Sequence, residues 1–218
     1  MSRLTLLTLP PSPNNIKVRL ALALKRLECE FVPQGFDDRS LVIEKSGQPL
    51  TPVLLDGDRV VFDSFGILRY LDANFDGPRL FPETREGIRE IESWENHARN
   101  GLGPALGMIL SMLLSGKVDP AQAELASRLF NQLASNVELA LEKGSYLTGE
   151  AISAADLTIA PLVYYAVQDA DKTEEGSVQR FFAEHLQLSP RYPRTRAWVD
   201  RVFAIENEVE GAGAGELS

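Results

Sequence analysis

Thiols, imidazoles and runs of positive charge are all scarce in this chain. Its 218 residues include one cysteine, Cys29, and two histidines, His97 and His185. A single cysteine excludes an internal disulfide framework and any cysteine-based metal cluster. The two histidines lie far apart, and no Asp or Glu completes a ligand spacing around either, so no metal is expected. Both read as ordinary helix residues, and Cys29 as a small core thiol. Lys and Arg number 22 against 31 Asp and Glu, a formal net charge of -9. With no basic run as well, neither nucleic acid nor an anionic membrane surface is an expected partner. No apolar stretch reaches the roughly 18 residues that span a bilayer. Gly107–Leu114 comes nearest and is too short. The first residues carry no charged segment followed by an apolar one, so no secretory signal is read and a cytoplasmic location is expected.

What is present begins with an apolar run, Leu4-Thr5-Leu6-Leu7-Thr8-Leu9, which reads as a buried strand. Pro10-Pro11-Ser12-Pro13-Asn14-Asn15 interrupts it, and Ile16, Leu20, Ala23, Leu24 and Leu27 then recur at helical spacing. Ser12 suits an N-cap and Pro13 the first helical position, where a missing N–H costs nothing. Two readings of Ser12 stand side by side. It is an ordinary cap, or its hydroxyl joins the free amides and the positive end of the helix dipole in stabilising an anion such as a thiolate.

Further on, Glu30-Phe31-Val32 reads as a short strand and Leu41–Lys45 as a helical turn or two. Asp56-Gly57-Asp58 between two β-rich runs marks a hairpin, with Pro52 at the entrance of its first strand. A cis bond before Pro52 would leave flanking backbone groups open to a ligand. Asp63 or Ser64 then caps a helix whose apolar face is Ile67, Leu68 and Leu71; this junction reads equally as an ordinary cap or as a seat for a carboxylate. Phe75-Asp76-Gly77-Pro78-Arg79-Leu80-Phe81-Pro82 is the best domain boundary in the chain. Beyond it everything reads as helix: Thr84 to about Ser115 with a bend near Gly101-Leu102-Gly103-Pro104, then Pro120 to about Lys143 behind an Asp119 cap. Ser153-Ala154-Ala155-Asp156 has the spacing of a capping box, opening a helix through Pro161 to about Ala170. Shorter helices follow near Glu174–Glu184 and Pro193–Ile205, and the Gly-Ala tail is expected to be disordered.

In that order, Ser12-Pro13-Asn14-Asn15-Ile16-Lys17-Val18-Arg19, Thr51-Pro52-Val53-Leu54 and Asp63-Ser64-Phe65-Gly66-Ile67-Leu68-Arg69-Tyr70-Leu71 resemble the cytosolic glutathione transferase family. Ser153–Asp156 is similar to its helical-half capping motif, and Tyr192-Pro193 through Trp198 to its last helix. The resemblance covers nearly the whole chain apart from the tail. It implies an α/β thioredoxin-like N-terminal domain over residues 1–77, a linker over 78–84, an all-α helical C-terminal domain over 85–206, and a tail over 207–218. It implies glutathione as co-substrate, a small hydrophobic electrophile or a disulfide as second substrate, and a homodimer. Ser64 with Asp63 would hold the γ-glutamyl end, and Thr51-Pro52-Val53 the cysteinyl part through the Val53 backbone. Gln48 would reach the glycyl carboxylate, although Gln48-Pro49-Leu50-Thr51 is a longer insertion before Pro52 than the family commonly has. Asp63 stands where Glu is more usual.

Family members hold the sulfur with a Tyr, Ser or Cys near the first helix. No Tyr precedes Tyr70 and Cys29 is out of place, which disfavours the tyrosine and cysteine types, and the resemblance implies the sulfur-holding role for Ser12, which matches the serine position. Ser-Pro-Asn is also similar to the Thr-Pro-Asn stretch of the disulfide-reductase branch, which makes Asn14 the second candidate and Asn15 the reserve. Asn100, Pro104, Met108, Tyr164 and Tyr165 are candidate lining for the second substrate. The expected activity is glutathione transfer; the alternatives are glutathione-dependent disulfide reduction at the same site and a non-catalytic binding module.

Overall fold

The computed structural model describes residues 3–215, with side chains through residue 206. The chain divides into two units, Met1–Pro82 together with Phe203–Ser218, and Glu83–Val202.

Among its described residues the first unit carries a four-stranded mixed sheet in the order β2-β1-β3-β4. The strands are β1 (Leu4–Thr8), β2 (Cys29–Pro33), β3 (Val53–Asp56) and β4 (Arg59–Phe62). β1 runs parallel to β2 and antiparallel to β3, and β3 pairs antiparallel with β4. The crossover between the parallel strands is helix α1 (Pro13–Leu24), as a parallel pair requires. Short α2 (Ser40–Ser46) precedes the hairpin, and α3 (Ser64–Asn74) follows it. Gly57 opens the two-residue hairpin turn at φ +57, a conformation that costs glycine nothing. Leu6, Leu7, Val18, Leu20, Leu54, Ile67, Leu68 and Leu71 are buried between sheet and helices. This is a thioredoxin-like arrangement.

α1 is buried over most of its circumference, and Lys17 is buried with its apolar neighbours. At its C-terminal end Lys25 donates to the Phe75 carbonyl at 3.0 Å and pairs with Asp72 at 3.3 Å. The same carboxylate also accepts from the amides of Leu80 and Phe81, which ties the segment after α3 back to α3.

The second unit is helical: α4 (Arg85–His97), a π turn over Ala98–Leu102, α5 (Gly103–Ser115), α6 (Pro120–Ala140), α7 (Ala154–Val167), a 3-10 turn over Ala170–Lys172, α8 (Val178–His185) and the start of α9 (Pro193–Gly215). The expected bend near Gly101–Pro104 is this π turn. Its wide loop accommodates the N–H that Pro104 lacks, with the Gly103 amide reaching back to the Ala98 carbonyl. A Cβ on Gly103 would stand 2.8 Å from that carbonyl oxygen, so the close approach demands glycine.

Asp156 organises this unit. It is fully buried, and its two oxygens accept from Leu147 N, Trp198 Nε1, Ser153 N and Ser153 Oγ, each at 2.9 Å. The expected capping box is therefore in place, and its carboxylate also ties down the turn before α7 and a tryptophan on α9. Glu138 does the same for the N-terminus of α9, accepting from Thr195 N at 2.8 Å and Thr195 Oγ1 at 2.7 Å.

Two expectations need correction. α9 continues past the expected end near Ile205 to Gly215. Residues 216–218 of the expected disordered tail lie outside the described residues. Cys29 is half-buried at a strand start, its thiol directed at the Glu30 carbonyl at 3.6 Å, and is not a core residue.

Candidate functional site

Three turns of the first unit converge on one cavity of about 410 Å³, lined by Asn14, Gln48, Leu50, Thr51, Pro52, Phe62, Asp63 and Ser64. The first turn leaves β1. Ser12 takes the N-cap position of α1 with extended backbone, and Pro13 follows in the first turn, yet the Ser12 hydroxyl makes no capping bond. The helix is instead entered through the Ser12 carbonyl, which accepts from Asn15 N and Ile16 N at 2.9 and 3.0 Å. Asn15, held in reserve as a sulfur ligand, is fully buried and spent on structure. Its Oδ1 accepts from Leu9 N at 3.0 Å and its Nδ2 donates to Thr51 Oγ1 at 3.2 Å, clamping the first turn to the second.

The second turn runs into β3 through a cis Thr51–Pro52 bond. Gln48 reaches the cavity wall, but its amide closes its own loop, donating to Ser46 Oγ and the Leu50 carbonyl at 2.9 Å each and accepting from Leu50 N at 2.6 Å. Val53 does not line the cavity. Its side chain is buried with Leu7 and Val42, and any part it plays falls to its backbone.

The third turn enters α3. Asp63 is the cap, accepting from Phe65 N at 3.3 Å, and it does so at φ +67 where caps ordinarily sit in the β region. Ser64, at the first position of the helix, is only 4% exposed. Its hydroxyl donates to Asn14 Oδ1 at 3.3 Å and accepts from Lys17 Nζ at 3.1 Å. Asn14 itself is exposed on the rim.

Of the residues expected here, Asn14, Gln48, Thr51, Pro52, Asp63 and Ser64 share the cavity, whereas Ser12 and Val53 flank it in sequence without lining it. Leu50, Phe62 and Lys17 were not anticipated. A lysine within the apolar run Ile16-Lys17-Val18 was the available signal for the last. Cys29 offers no rival thiolate, since burial pushes its thiol up to about 12.

In the second unit a groove of about 540 Å³ is lined by Trp94, His97, Asn136, Leu139 and Lys143, among others. Burial lowers the His97 imidazole below its ordinary value, which favours the neutral ring. Asn100 lies exposed in the π turn, and Met108 on α5 and Tyr164 on α7 are half-buried; none of the three lines that groove. Tyr165 is a core residue, 1% exposed and packed 4.8 Å from the Phe182 ring.

Comparison with known proteins fits this geometry. Residues 6–79 match the glutathione S-transferase N-terminal domain, and residues 119–201 the glutathione S-transferase C-terminal domain. The chain is 32% identical over 184 residues to glutathione S-transferase Z2 of Arabidopsis thaliana, spanning 79% of this chain and 81% of the relative. The chain belongs to the glutathione S-transferase family. Among other relatives, a probable maleylacetoacetate isomerase of Vibrio cholerae is 24% identical, over 81% of this chain and 87% of its own length. The fold is shared with the theta-class glutathione S-transferase of Xanthomonas axonopodis pv. citri, solved with glutathione bound, at a TM-score of 0.74, 19% identity and 92% coverage of both chains.

Proposed function

We propose that the sheet-bearing unit binds glutathione in the cavity beside Ser64, and that Ser12 stabilises its thiolate for attack on a small hydrophobic electrophile. The observation that carries this reading is that neither serine spends its hydroxyl on capping, although each stands at a helix N-terminus. In this reading the Ser64 hydroxyl and amide take the γ-glutamyl carboxylate and Asp63 takes the γ-glutamyl ammonium. The backbone of Val53, with Thr51 and cis-Pro52, aligns the cysteinyl part. Gln48 meets the glycyl carboxylate by exchanging bonds now made within its loop.

The chemistry required of Ser12 is modest. A free thiol with a pKa of about 8.5 is only a few per cent ionised at neutral pH, and lowering it by about two units takes roughly 2.7 kcal/mol. One hydrogen bond to the charged sulfur contributes ~1.5–3 kcal/mol, and the α1 amides and dipole add to it. Ser12 is thus a donor to the anion and never a covalent nucleophile. Asn14 is the second donor. Asn100, Met108 and Tyr164 are assigned to the electrophile, and the protein to a homodimer, testable by light scattering at micromolar concentration.

A second reading is favoured by the Vibrio relative's name. The thiolate adds to an activated cis double bond, the resulting single bond rotates, and elimination restores both thiolate and alkene, so no glutathione is consumed.

Calorimetric titration of glutathione into the wild type and Ser64→Ala tests the binding site, with a loss of at least tenfold expected in the variant. Equal affinity would remove Ser64 from the site. Product analysis separates the reactions. A thioether from an aryl halide marks transfer, an isomerised alkene at constant thiol marks the second reading, and a mixed disulfide marks the disulfide exchange expected as an alternative. Binding without turnover on any of them would leave a non-catalytic module.

A further inference from the structure

Gln48, on the cavity wall, spends its side-chain amide within its own loop. Nε2 donates to Ser46 Oγ and to the Leu50 carbonyl at 2.9 Å each, and Oε1 accepts from Leu50 N at 2.6 Å. Ser46, the last residue of α2, tightens the same knot by donating to the Val42 carbonyl at 2.7 Å. The segment that leads into cis-Pro52 is thereby closed on itself. A ligand that takes a bond from Gln48 must break one already made, so the exchange gains little.

The rest of that wall offers a carboxylate no better partner. Leu50 and Phe62, 73% and 48% exposed, are large apolar side chains that line the cavity. Phe62 stands opposite Val53 in the β3–β4 register, next to the cis bond. Among the described lining residues Asp63 is the one charged group, and it is negative. The cations of α2 and its cap stay off the wall. Lys45 pairs with Glu44 at 2.8 Å, and Arg39 takes the N-cap position with its Nη1 buried. A carboxylate laid against Leu50 and Phe62 gives up hydration and meets carbon. An amide loses less there, and an alkyl ester gains by covering apolar surface.

We infer that this cavity does not select for a charged glycyl end, and that its substrate class is γ-glutamyl-cysteinyl thiols whose C-terminal group is uncharged or apolar as well as glutathione itself. The tolerance rests on the glutathione reading, in which the γ-glutamyl end lies at Ser64 and the glycyl end faces Gln48 and Leu50. Selection is then confined to the amino acid head and the thiol-bearing residue. The long segment Gln48-Pro49-Leu50-Thr51 sets this specificity, because it supplies both the self-bonded amide and the exposed leucine.

Calorimetry on the wild type compares glutathione with two analogues altered only at the glycyl carboxylate, the C-terminal amide and the ethyl ester. Both should bind within threefold of glutathione. A charge-assisted bond to that carboxylate would favour glutathione by about tenfold or more. A preference of threefold or more over either analogue overturns the inference. Leu50→Lys, at a largely exposed position, then sets a cation beside the glycyl end. It should raise the preference for glutathione over the amide at least twofold. An unchanged ratio in that variant would place the glycyl end elsewhere and also overturn the inference. Failure of the underlying reading looks different and takes the inference with it: none of the three thiols would bind, or Ser64→Ala would leave all three affinities intact.

Discussion

Asp156 in the helical unit and Ser64 in the sheet-bearing unit are buried almost equally, but their hydrogen bonds are disposed in opposite ways. Both Asp156 oxygens are fully engaged by donors from its own chain, so the group is closed to any ligand. Ser64 accepts a bond of 3.1 Å from Lys17 and donates one of 3.3 Å to an exposed asparagine, on a cavity wall. The same expense of burying polarity secures a fold in one unit and, in the other, leaves a hydroxyl on the wall of a cavity. A sound test of function among buried polar groups is therefore whether the protein itself has used up their partners.

The largest effect should come from the closed group. Asp156→Ala leaves the Leu147 and Ser153 amides and the Trp198 indole without their acceptor, and should cost about 3–5 kcal/mol by urea denaturation. Glutathione affinity of the folded fraction should be unchanged. A loss under about 1 kcal/mol would reduce Asp156 to an ordinary cap.

Ser12→Ala should invert that pattern. Because its hydroxyl makes no capping bond, stability should move by less than about 0.5 kcal/mol. Turnover at neutral pH should fall about 10- to 100-fold, the equivalent of one hydrogen bond to a charged sulfur. The pH–rate profile should also shift upward toward the free-thiol value of about 8.5. An unmoved profile would transfer the sulfur to Asn14.

The smallest effect belongs to Glu138. Burial alone would raise its carboxyl, but the bonds from Thr195 and Arg194 outweigh that and hold it below the ordinary value. A depressed folded-state value contributes stability that is complete above the unfolded value of about 4.3 and is lost as pH falls through the folded one. Glu138→Gln should be less stable by about 1 kcal/mol at neutral pH and lose less than wild type on acidification. Parallel acid limbs in the two proteins would count against this.

Much of this was legible in the sequence because caps and turns are local. Asp119-Pro120 and Ser153–Asp156 each place a side chain within a few residues of the backbone it satisfies, and Asp56–Asp58 and Ser12-Pro13 mark a turn and a helix start by local backbone preference alone. What stayed hidden depends on neighbours distant in the chain. Asn15 reads as one more loop amide until Thr51 is seen against it. Lys17 is masked because α1 is buried on nearly every side, so periodicity singles out no inward face. Gly101–Pro104 announced a break, but whether a helix bends or widens is decided by how closely Gly103 approaches Ala98.

Asp63 carries a thermodynamic consequence of its own. A non-glycine residue held at positive φ is unfavourable by about 1–3 kcal/mol whether or not the cavity is filled. An empty protein bears that deficit alone, whereas a ligand at 100 times its dissociation constant adds about 2.7 kcal/mol to the folded state by mass action. In the glutathione reading, occupancy and durability are thus linked: the supply of free thiol would set how long each molecule stays folded as well as how fast it works.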